Sequence, residues 1–90
     1  MRRAQLDGRR IHSREELHDA LAGAVSLPEW YGRNLDALLD SLSELEEETC
    51  LCVTGATVLA ETLGPYGEAL LRVLRRAEEE NSNFRLELEP

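Results

Sequence analysis

The sequence predicts a single α/β domain over residues 1–90, with a three-stranded, mostly parallel sheet packed by about four helices. Three observations lead there. Ninety residues are too few for two cores, and 42% hydrophobic residues with six glycines is the apolar share of an ordinary globular chain. Two cysteines cannot build a disulfide framework, so one packed core must hold the fold. The apolar patterns read as β, α, α, β, α, α, β, and helical crossovers of that kind join parallel strands.

Arg3 through Leu6 reads as a short strand, and Asp7-Gly8 is a turn signal before Ile11. Ser13 and Glu16 form the S-x-x-E capping box, in which each side chain satisfies an orphan backbone N–H, so a helix starts at Arg14. Leu17, Ala20, Leu21 and Ala24 form its apolar stripe, and Pro28 forbids its continuation, leaving Ser26 through Gly32 as a loop. Asn34 is the N-cap of a second helix with the stripe Leu35, Leu38, Leu39 and Leu42, ended by the solvated run Glu46-Glu47-Glu48.

Cys50 through Thr54 is nearly continuous apolar sequence, as expected of a strand covered on both faces. After Gly55 a short helix spans Ala56 through Leu63, broken by Gly64-Pro65. The longest helix runs from about Tyr66 to Glu80 and turns Leu70, Leu71, Val73, Leu74 and Ala77 inward. Its outer face spaces Glu68 and Arg72, Arg75 and Glu79, and Arg76 and Glu80 at i, i+4, where ion pairs can form. Asn81-Ser82-Asn83 closes it. Phe84, Leu86 and Leu88 then alternate with Arg85, Glu87 and Glu89 in a final strand.

Ten basic residues against 18 acidic ones give a net charge of −8 and an isoelectric point near 4.7. Non-specific nucleic-acid binding and membrane-surface binding both need clustered Lys and Arg, so direct contact with nucleic acid and membrane association are excluded as functions. An acidic surface attracts a basic partner instead and accelerates encounter with it. Residues 1–14 hold five Arg and one Asp, while residues 15–61 hold eleven acidic residues and Arg33 alone. The middle of the chain is where a basic partner would land.

No apolar run of signal-peptide length follows the N-terminal arginines, so the sequence predicts neither a leader nor a transmembrane segment, and a cytoplasmic location. Cys50 and Cys52 are expected on one strand face as reduced, buried thiols. His12 and His18 show no ligand spacing, so neither a metal nor another cofactor is predicted.

Residues 28–40, Pro-Glu-Trp-Tyr-Gly-Arg-Asn-Leu-Asp-Ala-Leu-Leu-Asp, break the bland pattern. The only Trp of the chain, Trp30, sits beside Tyr31 in a loop next to an acidic helix, which reads as an interface anchor. Alternatively the loop folds its rings back over its own core, a reading that suits Tyr31 at least as well as the interface and suits Trp30 less. Asp36 and Asp40 lie one helical turn apart, off the leucine stripe, and Glu44 and Glu47 extend that acidic face. A merely solvated face is the alternative. Two exposed carboxylates on one helix both stay ionised, no P-loop, G-x-S-x-G or Cys–His pair is present, and the chain is not expected to be an enzyme.

The run P-E-W-Y-G-R-N-L-D-A-L-L-D resembles the barstar family of intracellular ribonuclease inhibitors, whose hallmark is P-x-Y-Y-G-x-N-L-D-A-L-x-D. The likeness extends to the opening strand with Gly8, the S-x-x-E-L-H start of the first helix (Ser13 to His18) and the L-x-V-x-R run of the long helix (Leu71 to Arg75). The resemblance implies a barstar-like fold and a protein, monomeric when free, that plugs the active site of a secreted, guanyl-specific, barnase-type ribonuclease with carboxylates standing where RNA phosphates would lie. Carried over by position, Asp40 is the main phosphate mimic and Asp36 pairs a neighbouring basic residue. Trp30 takes the place of an interface Tyr, and Gly32, Asn34, Leu35 and Leu39 fill the contact surface. Two positions depart from the pattern. Leu45 stands where the family prototype has an interface Trp at the end of the second helix, and Arg76 where it has an acidic residue on the long helix. The lost carboxylate and gained positive charge at Arg76 imply a target with a different, less basic rim. An acidic interaction module for another basic protein or toxin remains the alternative.

Overall fold

The computed structural model describes residues 1–90. Strand β1 (Arg2–Asp7) leads through a 3-10 turn (Gly8–Arg10) into α1 (Arg14–Val25), then α2 (Leu35–Ser43), β2 (Thr49–Thr54), α3 (Ala56–Leu63), α4 (Pro65–Glu80) and β3 (Phe84–Leu88). The order is the one the sequence predicts. The sheet runs β1-β2-β3 with both pairings parallel, Arg2 opposite Thr49 and Thr49 opposite Phe84. "Mostly parallel" therefore becomes wholly parallel.

Local signals set the helix starts. The Ser13 hydroxyl accepts from the Glu16 N–H at 3.1 Å, and Glu16 reaches back to the His12 N–H at 2.8 Å, one residue before the cap itself. Asn34 Oδ1 accepts from the Ala37 N–H at 2.8 Å. Pro65 stands at the first turn of α4, where its missing N–H costs nothing. Gly8 answers a different demand: a Cβ there would stand 2.6 Å from the Gly55 carbonyl and 2.9 Å from the Leu59 Cβ, so only glycine lets the turn after β1 press against α3.

Four helices share one core, which joins Ala4, Leu6, Leu51 and Val53 of the sheet to Leu17, Leu21, Leu38, Leu42, Leu59, Leu70 and Leu74. Three expectations need correction. β2 is not covered by helices on both faces: Leu51 and Val53 face the core, whereas Cys50 and Cys52 share the opposite face with their neighbours Arg3, Gln5, Arg85 and Glu87. An ion pair between Arg3 and Glu87 (3.3 Å) links the strands flanking Cys50, which is buried beneath long side chains alone; Cys52 is only half-buried, and both thiols are free. On α1 the buried positions are Leu17, His18, Leu21 and Val25, with Ala20 and Ala24 half-buried, because His18 rather than an alanine points inward. Of the three ion pairs proposed on α4, only Arg76–Glu80 closes, at 3.3 Å.

The second helix also ends sooner than its sequence suggests. Ser43 is its last residue and Glu44 caps it, so Leu45 lies beyond the helix and not at its end. The reason lies far along the chain, where the Asn81 amide donates to the Leu42 and Leu45 carbonyls (2.9 and 3.0 Å) and the Asn83 amide to Leu45 again (3.1 Å). These donors replace the next helical turn. Asn81→Ala should therefore lower stability by about 1–3 kcal/mol through two half-buried carbonyls left short of a donor, read from urea denaturation midpoints. A change below a few tenths would show that water replaces the amide freely.

Candidate functional site

The loop between α1 and α2 is bracketed by two non-glycine residues in the left-handed region, Ser26 (φ 53°) and Arg33 (φ 54°). Each such residue costs on the order of 1–2 kcal/mol and persists only where its surroundings hold it. The holders are visible. The Arg2 guanidinium donates to the Ser26 hydroxyl, Arg33 pairs with Asp19 of α1, and the Asn34 amide donates to the Gly32 carbonyl at 3.2 Å.

Within the loop the two aromatics part. Tyr31 is 8% exposed and belongs to the core, while Trp30 is 85% exposed. The inward reading thus holds for Tyr31 and the outward one for Trp30. An exposed indole on a loop held at both ends is the kind of side chain that anchors protein interfaces.

Between this loop and α2 lies a cleft of about 590 Å³, lined by Trp30, Tyr31 and Gly32 on one side and by Asp40, Glu44 and Leu45 on the other. Of the site residues named from the sequence, the fold brings Trp30, Gly32, Asp40, Glu44 and Leu45 together around it. Asn34, Leu35, Asp36, Leu39 and Arg76 do not line it: Asn34 is occupied as N-cap, Leu35 and Leu39 are half-buried beside the acidic face, and Asp36 is exposed in the first turn of α2. Arg76 is held by Glu80, whose other oxygen accepts from the Ser43 hydroxyl at 3.4 Å, which turns it toward the C-terminal end of α2.

Beside Glu47, the cleft includes residues that the sequence did not single out, among them Arg2, Ser26, Glu46 and Thr49. Glu47 was read as part of the acidic face, but Arg2 and Thr49 are the first residues of β1 and β2, paired across the sheet, and no local pattern links them to residue 40. Asp36, Asp40, Glu44, Glu46, Glu47 and Glu48 have no cationic side chain within 4.0 Å, whereas Arg3, Arg10, Arg33 and Arg76 are all paired with carboxylates elsewhere. Such a face holds negative potential that only an external cation can neutralise. No group of His, Cys, Asp and Glu is arranged to hold a metal ion.

Residues 1–89 match the family model described as Barstar (barnase inhibitor). The chain belongs to the barstar family. It is also 38% identical over 81 residues, 89% of each chain, to the protein named "Putative ribonuclease inhibitor YrdF" of Bacillus subtilis (strain 168). No helix is long and apolar enough to cross a membrane.

Beneath the cleft this barstar-family chain carries a buried polar triad. His18 of α1 is 1% exposed, its Nδ1 lying 2.5 Å from the Tyr31 hydroxyl and its Nε2 2.6 Å from the Tyr66 hydroxyl of α4. A neutral imidazole has one donor and one acceptor, so it can serve both phenols, donating to one and accepting from the other. Burial pushes the Tyr31 hydroxyl up to about 12, with Tyr66 adding to the shift, and burial also raises Tyr66. His18 is held below the usual imidazole value of 6.5, by burial first and by the Arg33 guanidinium second, with Asp19 acting the other way.

Folded His18 thus resists a proton that the unfolded chain accepts. Its contribution to stability is complete above about pH 6.5 and is lost as the pH falls through that value toward the lower folded-state one. Urea midpoints between about pH 7.5 and about pH 5 should fall for the wild type and flatten for His18→Gln, which carries no titrating group. Parallel profiles would remove His18 from the acid response.

Proposed function

We propose that this protein is a one-to-one inhibitor of a secreted microbial ribonuclease of the guanyl-specific, barnase type. The observation that carries the reading is the acidic face of α2, unpaired along its whole length, beside the exposed Trp30 on a braced loop. Family membership and the relative named as a ribonuclease inhibitor support it. A ribonuclease active site gathers cations to bind RNA phosphates, so carboxylates at phosphate-like positions compete for the same groups.

Asp40, in the wall of the cleft, is the main phosphate mimic, and Asp36 on the same helix and Glu44 at its C-terminal cap pair neighbouring cations of the enzyme. Trp30, Gly32, Asn34, Leu35, Leu39 and Leu45 form the less polar contact around them. The long-range field of six unpaired carboxylates speeds encounter. The protein performs no chemistry itself.

The decisive experiment titrates the protein into assays of several secreted microbial ribonucleases. Complete inhibition at one equivalent supports the reading. The absence of inhibition of any of them returns the chain to the alternative, an acidic module for another basic protein. Within the complex, Asp40→Ala should weaken inhibition by at least a hundredfold, because stranding buried cations costs about 3–5 kcal/mol, yet alter folding by about 0.5 kcal/mol or less. Equal inhibition constants for mutant and wild type would remove Asp40 from the contact.

Arg76 is the residue for specificity. Arg76→Glu should strengthen inhibition of a strongly basic barnase-type enzyme relative to a more acidic relative, by about tenfold in the ratio of inhibition constants, since it replaces a like-charge contact at the rim. A ratio that stays unchanged would confine Arg76 to its pairing with Glu80, worth only a few tenths of a kcal/mol.

A further inference from the structure

Tyr31 is the one fully buried side chain between the two left-handed residues that bracket the binding loop, since Leu27 and Pro28 are half-buried and the rest are exposed. Its hydroxyl meets His18, and His18 meets Tyr66, so α1, the loop and α4 converge on a single imidazole. No side-chain nitrogen or oxygen is left buried without a partner, and the triad is closed. Tyr31 also lines the cleft, next to Trp30 in the chain and in the same lining as Asp40.

We propose that His18 is the positioning residue of the binding loop: through Tyr31 it holds Trp30 and Gly32 in the shape that meets the partner. The proposal rests on the inhibitor reading only for its consequence in binding; the pinning itself is a property of the free protein. The strain at Ser26 and Arg33 calls for a holder beyond the half-buried Leu27 and Pro28, because the loop's other side-chain hydrogen bonds and its ion pair are exposed, and such contacts hold a segment weakly. A loop already ordered before encounter loses less entropy on binding.

The groups that face His18 are few. Arg14, Glu15 and Asp19 come from its own helix, Arg33 and Tyr31 from the loop, and Tyr66 from α4, with the Arg14 guanidinium 4.2 Å over the Tyr66 ring. A proton on His18 makes both ring nitrogens donors, so the phenol that had been donating loses its acceptor. The pin is therefore strongest with a neutral ring.

The test uses the free protein first. Backbone order parameters of Trp30 through Arg33 should sit near about 0.85 in the wild type and drop below about 0.6 in Tyr31→Phe, which deletes one oxygen and keeps the ring, and in His18→Leu. Tyr66→Phe severs the other bond of the same imidazole and should leave the loop at the wild-type value. Against a ribonuclease that the wild type inhibits, Tyr31→Phe should weaken inhibition about tenfold and Tyr66→Phe by less than threefold. Unchanged order parameters in Tyr31→Phe, or an equal loss in Tyr66→Phe, overturn the pin, and so does a loosened loop that inhibits as well as the wild type. A loop that loosens as expected in a protein that inhibits no ribonuclease supports the pin and overturns the inhibitor reading.

Discussion

Both crossovers in this fold move the same way across the sheet, and the rest of the molecule follows from that. With strands in the order β1-β2-β3 and all parallel, right-handed connections must place every helix on one face. One face of the sheet is then core and the other bears Arg3, Gln5, Arg85 and Glu87 around two thiols. A second consequence concerns function. Open α/β sheets bind small ligands at the C-terminal strand ends, where the strand order reverses, and here it never reverses. The cleft sits instead at the N-terminal ends of β1 and β2, where Arg2 and Thr49 join the loop and α2 in its lining. Its open, charged surface suits a protein partner better than an enclosed substrate.

Local signals in the sequence were enough for most of the fold. Ser13, Asn34 and Pro65 act through bonds or steric limits within three or four residues, so they can be read without knowing the rest of the chain. What escaped depends on residues brought together from afar. His18 looked like an ordinary helix residue because its partners stand 13 and 48 positions away. The end of α2 was misplaced because its final carbonyls are satisfied by Asn81 and Asn83, which the sequence assigns to closing α4. The apolar run Cys50–Val53 suggested two covered faces because cysteine counts as apolar, yet Cys50 is shielded by neighbouring side chains and not by a helix.

The candidate site was legible to the same degree and for the same reason. Asp36 and Asp40 share a helix with Glu44 at its cap, so their alignment follows from spacing, and the loop beside them divides its two rings, Tyr31 inward and Trp30 outward. The far wall of the cleft could not be read, since Arg2 and Thr49 reach it only through sheet pairing.

The distribution of ion pairs shows what this surface costs the free protein. Four arginines pair with carboxylates on β3, β1, α1 and α4, while the six carboxylates from Asp36 to Glu48 pair with none. A chain selected for stability alone would move one arginine of α4 onto α2, gaining a few tenths of a kcal/mol per pair and relieving the repulsion between Asp36 and Asp40. Arg76 comes close to that place, reaching the end of α2 only through Glu80 and Ser43, and leaves the acidic face uncompensated. The strained backbone at Ser26 and Arg33 carries a cost of the same kind. Both features meet at one cleft, with Ser26 on one wall and Asp40, Glu44, Glu46 and Glu47 on the other, and a partner that supplies cations to one wall and an apolar pocket to the other would relieve the first and use the rigidity enforced by the second.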